Sequence, residues 1–312
     1  MSEPLKPRRL TPGARIGVVS PASWLEPDQQ ERAKKVFEDL GYEIVMGKST
    51  GLRLNAYAGS AEERADDIHR MFSDSSIDAI VCARGGYGSN RVLPLLDYEL
   101  IRNHPKIFVG YSDITGILIS TGQKSGLITF HGPMLHTFGK KTEQYNLDSF
   151  HRVLSGEDNI RLTSSESCQA RTLKPGTAKG PLWGGNLVLL AERLGTSDQL
   201  DTDGIILFIE EIDEALYAFD RLLLQLRKSG SLDKINGLII GETIDMGVGR
   251  VPFGKSVDEI VLDICGDLSV PVISNFPCGH GDCQATFPVA HTVELHAEPD
   301  QPFILLPESP VL

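Results

Sequence analysis

The sequence is short of positive charge: 30 Lys and Arg stand against 42 Asp and Glu in 312 residues, a formal net charge of -12. That balance has the wrong sign for neutralising phosphates over a large surface, so nucleic acid and anionic membrane are not expected partners. No stretch approaches the ~18 apolar residues of a membrane span. The basic N-terminus MSEPLKPRRLTPG is not followed by the apolar core of a secretory signal. The five cysteines, Cys82, Cys168, Cys265, Cys278 and Cys283, are odd in number and form no C-x-x-C pair. A disulfide framework is therefore not expected. The expectation is a cytoplasmic protein with reduced thiols, without internal repeats or low-complexity tracts.

What is present is ordinary globular material, 41% hydrophobic and 23% charged, and the length allows two domains of roughly 100–200 residues each. Glycine is in excess, at 31 residues, against a typical share of ~7%. Glycine concentrates where backbone turns tightly or approaches a ligand. From residue 15 to 131 short β-rich runs alternate with helical ones, the pattern of a parallel sheet wrapped by helices. RIGVVS (15–20), YEIVM (42–46), DAIVCA (78–83), KIFVG (106–110) and LITFH (127–131) read as strands. An amphipathic helix over 28–40 ends at Gly41, and Ser60 with Glu63 forms a capping box before another. The polar stretch 155–180 reads as an interdomain connection, with or without short strands of its own. Beyond it, helices are predicted over 184–195, 215–230 and 257–265. Strands are predicted at 204–211, 235–242 and 270–275, with two more near the C-terminus. The expected fold class is α/β: a doubly wound parallel-sheet N-terminal domain (1–155) and a smaller α/β, β-rich C-terminal domain (156–312).

Four polar clusters fall at predicted strand ends, where ligands bind open α/β sheets. The first is Ala83-Arg-Gly-Gly-Tyr-Gly88, whose consecutive glycines can turn amides toward an anion or oxyanion; it reads equally as a tight strand-to-helix turn. The second, Val109-Gly-Tyr-Ser-Asp-Ile-Thr115, sets Ser112 at a strand-to-helix turn, with Ile114 where a nucleophile elbow would have its second glycine. Ser112 or Asp113 could simply cap the helix. In the third, Ile209-Glu-Glu-Ile-Asp-Glu214, a carboxylate could orient a histidine or be solvated. The fourth, Asn275-Phe-Pro-Cys-Gly-His-Gly-Asp-Cys283, presents His280 between glycines as a general base would need. Cys278, His280, Asp282 and Cys283 also raise zinc, although C-x4-C matches no tight metal spacing. Serine, acid and histidine thus occur in the order Ser…Glu…His, each at a strand-to-loop transition.

These residues, together with PGARIGVVSPAS near the start, RGGYG (84–88), GYSDIT (110–115), GPLWGGNL (180–187), IEE with the DRLLLQL helix (209–226) and CGHG (278–281), resemble the LD-carboxypeptidase family of serine peptidases. That family also holds the microcin C immunity peptidases, and the resemblance runs over nearly the whole length. It implies Ser112 as nucleophile, Glu210 as acid and His280 as base, with the serine on the first domain and the other two on the second. It implies an oxyanion hole from the main-chain amides of Gly85 or Gly86 and of Asp113. Glu211 stands where other members often have Asp, so the choice between Glu210 and Glu211 rests on the alignment.

The activity implied is release of a terminal D-amino acid, usually D-alanine, from a murein tetrapeptide in cell-wall recycling, by hydrolysis of an L,D amide bond. No metal and no organic cofactor are implied; members are commonly dimers, which implies a homodimer. Arg84 is a candidate for the substrate's terminal carboxylate, or a surface residue. Trp183 is a candidate for stacking on a nucleotide base, or a packing residue in an apolar-flanked loop. The alternatives are a self-immunity peptidase cleaving a peptidyl or aminoacyl nucleotide, an inactive peptide-binding module, and a zinc hydrolase built on the Cys278–Cys283 loop.

Overall fold

The computed structural model describes residues 4–247 and 251–312. The chain forms two compact units, one built from the chain up to Glu157 with Ala285–Ala290 and Ser309–Leu312, the other from Asp158–Gln284 and His291–Glu308.

In the first unit, strands β1 (Arg15–Val19), β2 (Glu43–Met46), β3 (Ala79–Cys82), β4 (Ile107–Gly110) and β5 (Thr129–His131) form a parallel sheet in the order β5-β4-β3-β1-β2. The inner strands AIVC and IFVG are apolar throughout because helices cover both faces of such a sheet. Helix α1 (Pro27–Asp39) is followed by Gly41 at φ 87°, a left-handed conformation suited to glycine. Helix α2 (Ala61–Ser73) opens on the expected capping box, Ser60 and Glu63 each bonding the other's backbone N–H. Its inner face carries Ile68 and Phe72 into a core with Ile80, Phe108 and Leu118, where Phe72 stacks on Phe108 at 5.7 Å. Each such buried side chain contributes about 1.5–3 kcal/mol. Helices α3 (Tyr98–Asn103), α4 (Thr115–Ser125), α5 (Leu135–Lys140) and α6 (Gln144–Leu154) complete the unit. A late segment, Phe287–Val289, adds an antiparallel edge strand beside β5. This segment and Ser309–Leu312 belong to the first unit, although the sequence reading assigned 156–312 to the second domain as one block.

The second unit contains β6 (Ile160–Leu162), β7 (Arg171–Lys174), β8 (Gly176–Asn186), α7 (Leu187–Ala191), β9 (Ile206–Ile212), α8 (Leu216–Lys228), β10 (Gly237–Ile244), α9 (Val257–Cys265) and β11 (Val272–Phe276). After β12, the Phe287–Val289 strand already placed, come β13 (Thr292–Ala297) and β14 (Phe303–Leu306). Its sheet runs β6-β14-β13-β8-β9-β10-β11-β7, parallel from β8 to β11 and antiparallel outside.

Two expectations are corrected here. The polar stretch 155–180 is not mainly a connection: it supplies both edge strands, β6 and β7, and much of β8. Edge strands are polar because one rim meets solvent, which removes the apolar signal. The helix expected over 184–195 shrinks to Leu187–Ala191 because Gly184 and Gly185, at φ 150° and 142°, prolong β8 as far as Asn186.

Candidate active site

In the first unit β4 ends at Gly110, and Ser112 opens a short 3-10 turn (Ser112–Ile114) leading into α4. Ser112 has φ 63°, a left-handed conformation uncommon for a non-glycine residue and of the kind that stores strain at functional sites. Gly85 lies directly against it: a Cβ on Gly85 would stand 2.9 Å from Ser112 Cβ, 3.0 Å from its Oγ and 3.3 Å from the Asp113 amide nitrogen. Only a glycine lets the loop after β3 approach so closely. Gly86, at φ 103°, turns the loop toward Ser23, and Arg84 is half-buried beside it. The Asp113 side chain faces inward, 4% exposed, and accepts the Ser89 N–H at 2.8 Å. Burial raises its pKa, opposed by the Ser89 and Gly88 hydrogen bonds and the charge of Arg64. Ser112, the Asp113 amide and Gly85 are thus brought together.

In the second unit Glu210 lies on β9 and is completely buried. His280 Nδ1 is 2.7 Å from Glu210 Oε2. The loop carrying the imidazole rests on this carboxylate through Gly279, at φ 119°, where a Cβ would come within 2.9 Å of both Glu210 Cβ and Oε2. The His280 pKa is pulled down by burial, but the charge and hydrogen bond of Glu210, with the charges of Glu211 and Glu242, outweigh this and leave it raised. Adjacent strand residues point to opposite faces, and Glu211 accordingly turns away from the ring. It accepts hydrogen bonds from Asn186 Nδ2 at 2.9 Å and from the N–H groups of Val188 and Ile212, both at 3.0 Å. Glu211 thereby serves the first turn of α7, with its pKa pushed up by burial to about 7.

The sequence reading missed Glu242, the acid ending the buried part of β10. It is 8% exposed, its N–H donates to Cys278 O at 3.1 Å, and a Cβ on Gly281 would overlap its carboxyl group. Burial and the charge of Asp282 push it up to about 7, against a hydrogen bond from Cys168 and the charge of His280. The signal available was an acid at the end of an apolar strand, the same signal that marked Glu210.

Trp183 is not in a loop: it sits on β8, paired in register with Leu207 and 8% exposed, as a packing residue does. Cys278 and Cys283 are buried free thiols, and burial holds Cys278 well above the usual thiol range. Cys278, His280, Asp282 and Cys283 do not converge as a ligand set; among the described residues no three His, Cys, Asp or Glu side chains could hold a metal ion. Among the described residues no helix is long and apolar enough to cross a membrane.

Comparison with known proteins follows the two units. The family model described as the LD-carboxypeptidase N-terminal domain matches residues 16–132, and that of the LD-carboxypeptidase C-terminal domain matches residues 179–295. The chain is 36% identical over 290 residues to the probable murein peptide carboxypeptidase of Bacillus subtilis, covering 91% of this chain and 89% of the relative. It is 30% identical to the self-immunity protein MccF of Escherichia coli, covering 92% of each. A solved structure of a muramoyltetrapeptide carboxypeptidase from Oxalobacter formigenes matches with TM-score 0.85 and 28% identity over 96% of this chain and 100% of the other.

Proposed function

The chain belongs to the LD-carboxypeptidase family, and from that premise we propose that it is a serine carboxypeptidase releasing the terminal D-alanine of murein tetrapeptides with Ser112, His280 and Glu210. The observation that carries this reading is the 2.7 Å contact between His280 Nδ1 and a wholly buried Glu210. With Nδ1–H donated to the carboxylate, the ring offers Nε2 as an acceptor. Nε2 takes the Ser112 proton as Oγ attacks the carbonyl carbon of the L,D amide, and Glu210 opposes the charge of the imidazolium that forms. The oxyanion receives the amides of Asp113 and of Gly85 or Gly86, each donor supplying about 3 kcal/mol of transition-state stabilisation. Collapse of the tetrahedral intermediate breaks the C–N bond, and the imidazolium returns its proton to the leaving D-alanine nitrogen. Water then attacks the Ser112 ester, with His280 again as base. Arg84, half-buried beside the glycine turn, is the side chain proposed for the substrate's terminal carboxylate.

The same reading extends to a cytoplasmic homodimer acting in wall recycling, on the strength of the family resemblance alone. Cleavage of an aminoacyl nucleotide, as the kinship with MccF could suggest, draws no support from Trp183, which is packed in β8. The test is mass spectrometry of the purified enzyme with L-Ala-D-Glu-meso-diaminopimelate-D-Ala and, side by side, an aminoacyl sulfamoyl nucleotide. Loss of D-alanine from the first at the higher kcat/KM is expected. Turnover of the nucleotide alone would overturn the reading.

A further inference from the structure

Arg64 lies on the inner face of α2 beside Ala65, Ile68 and Phe72 and is 1% exposed. A buried guanidinium is tolerated only when its donors are met and its charge opposed. Its Nε donates to Ser60 O at 3.1 Å, within its own helix start, whereas Nη1 donates to Pro21 O at 2.5 Å and Gly88 O at 2.9 Å. The opposing charge is the buried Asp113 carboxylate, and the ring of Tyr57 lies 5.3 Å from the guanidinium carbon. Gly88, at φ 116°, packs onto this group so closely that a Cβ would stand 3.2 Å from Nη1 and 2.7 Å from the Tyr57 ring.

One guanidinium nitrogen therefore joins two loops that also hold each other. Two residues beyond Pro21, the Ser23 N–H donates to Gly85 O at 3.2 Å, and its Oγ accepts the Tyr87 N–H at 3.3 Å. The other face of the same turn is Gly85 against Ser112. We propose that Arg64 is a positioning residue that fixes the Arg84–Gly88 turn against Ser112 through its bonds to Pro21 and Gly88. It touches no reacting atom, and its role rests on the reading of Ser112 as nucleophile and the glycine turn as oxyanion donor. Lysine, with one ammonium in place of a planar fork, cannot meet the three carbonyls in the same way.

The experiment uses full-length Arg64→Lys and Arg64→Ala, with melting temperatures as the control for folding. It reads kcat and KM on the tetrapeptide and the rate at which a fluorophosphonate labels Ser112. Displacements of about an ångström at a reacting centre cost on the order of 100-fold; kcat and labelling should fall about 10-fold in the Lys variant and about 100-fold in the Ala variant, with the rise in KM from the displaced Arg84 the smaller effect. Millimolar guanidinium should restore part of the loss in Arg64→Ala. Folded Arg64→Ala with unchanged kcat and labelling overturns the proposal. If that variant does not fold, wild-type kcat and labelling in Arg64→Lys overturn it equally. A wild-type enzyme that neither cleaves the tetrapeptide nor labels at Ser112 overturns the underlying reading and the proposal with it; wild-type labelling beside variants that label as fast overturns the Arg64 assignment alone.

Discussion

Gly279 and Glu210 touch: the His280 loop crosses β9 so closely that a single added carbon on the glycine would lie 2.9 Å from the carboxylate oxygen that meets the imidazole. The orientation of the histidine is therefore set from two sides. The carboxylate fixes the ring through Nδ1, and the glycine lets the backbone descend far enough for that bond to form. A buried carboxylate in this position acts on the protonated ring most strongly, and the raised His280 pKa follows from that charge overcoming burial.

Glu210→Gln keeps the shape and removes the charge. The amide can present its N–H₂ to Nδ1 and favour the wrong tautomer, as the acid-to-amide exchange in a Ser-His-Asp triad does at a cost of about 10⁴-fold in kcat. A loss of about 10³–10⁴-fold in D-alanine release is expected. A His280 that serves as the proposed base accepts the serine proton only when neutral, so wild-type kcat/KM should rise with pH through a midpoint above the ordinary 6.5, and the residual activity of Glu210→Gln should rise at lower pH. A pH–rate profile of both enzymes checks this.

Gly85→Ala places a methyl 3.0 Å from Ser112 Oγ and 3.3 Å from the Asp113 amide. The turn must back away from the serine, and if its amide serves the oxyanion, kcat should fall by about 10²–10³-fold. Gly85 is not among the glycines with positive φ, so the substitution carries no left-handed penalty. A modest change in melting temperature beside a large loss of kcat is the expected pair of measurements.

Glu242→Gln bears on stability. A carboxyl whose folded pKa is raised from 4.5 to about 7 keeps its proton in the folded state while the unfolded chain has lost it. Stability from this group is therefore full below about 4.5, declines as pH rises toward 7, and is flat above. The difference amounts to at most on the order of 3 kcal/mol at pH 8. Glu242→Gln should raise the melting temperature at pH 8 and leave it nearly unchanged at pH 5, which thermal melts at the two values will show.

The parts of this molecule legible in its sequence are those decided locally. The β1 run, the Ser60–Glu63 capping box and the 257–265 helix depend on residues within one element, and periodicity and capping chemistry report such choices directly. Ser112 and His280 were legible as residues at strand ends, but neither the left-handed φ of Ser112 nor the seating of Gly279 on Glu210 could be, because both depend on chain far away in sequence. Long-range pairing also hid Phe287–Val289, a three-residue strand too short for any periodicity and defined only by its partner β5. The 155–180 segment failed for the opposite reason: its residues look like loop because they line the edges of a sheet. Arg64 carried a signal that went unused, an arginine spaced with Ile68, Met71 and Phe72 on the apolar stripe of α2.

The most direct measurement is D-alanine release from the murein tetrapeptide by Ser112→Ala beside the wild type, with and without a chelator. Rapid release by the wild type, unaffected by the chelator, is expected beside a loss of at least about 10³-fold in the variant, as removal of a triad nucleophile produces. Release that survives Ser112→Ala, or that stops when metal is removed, would contradict the serine mechanism.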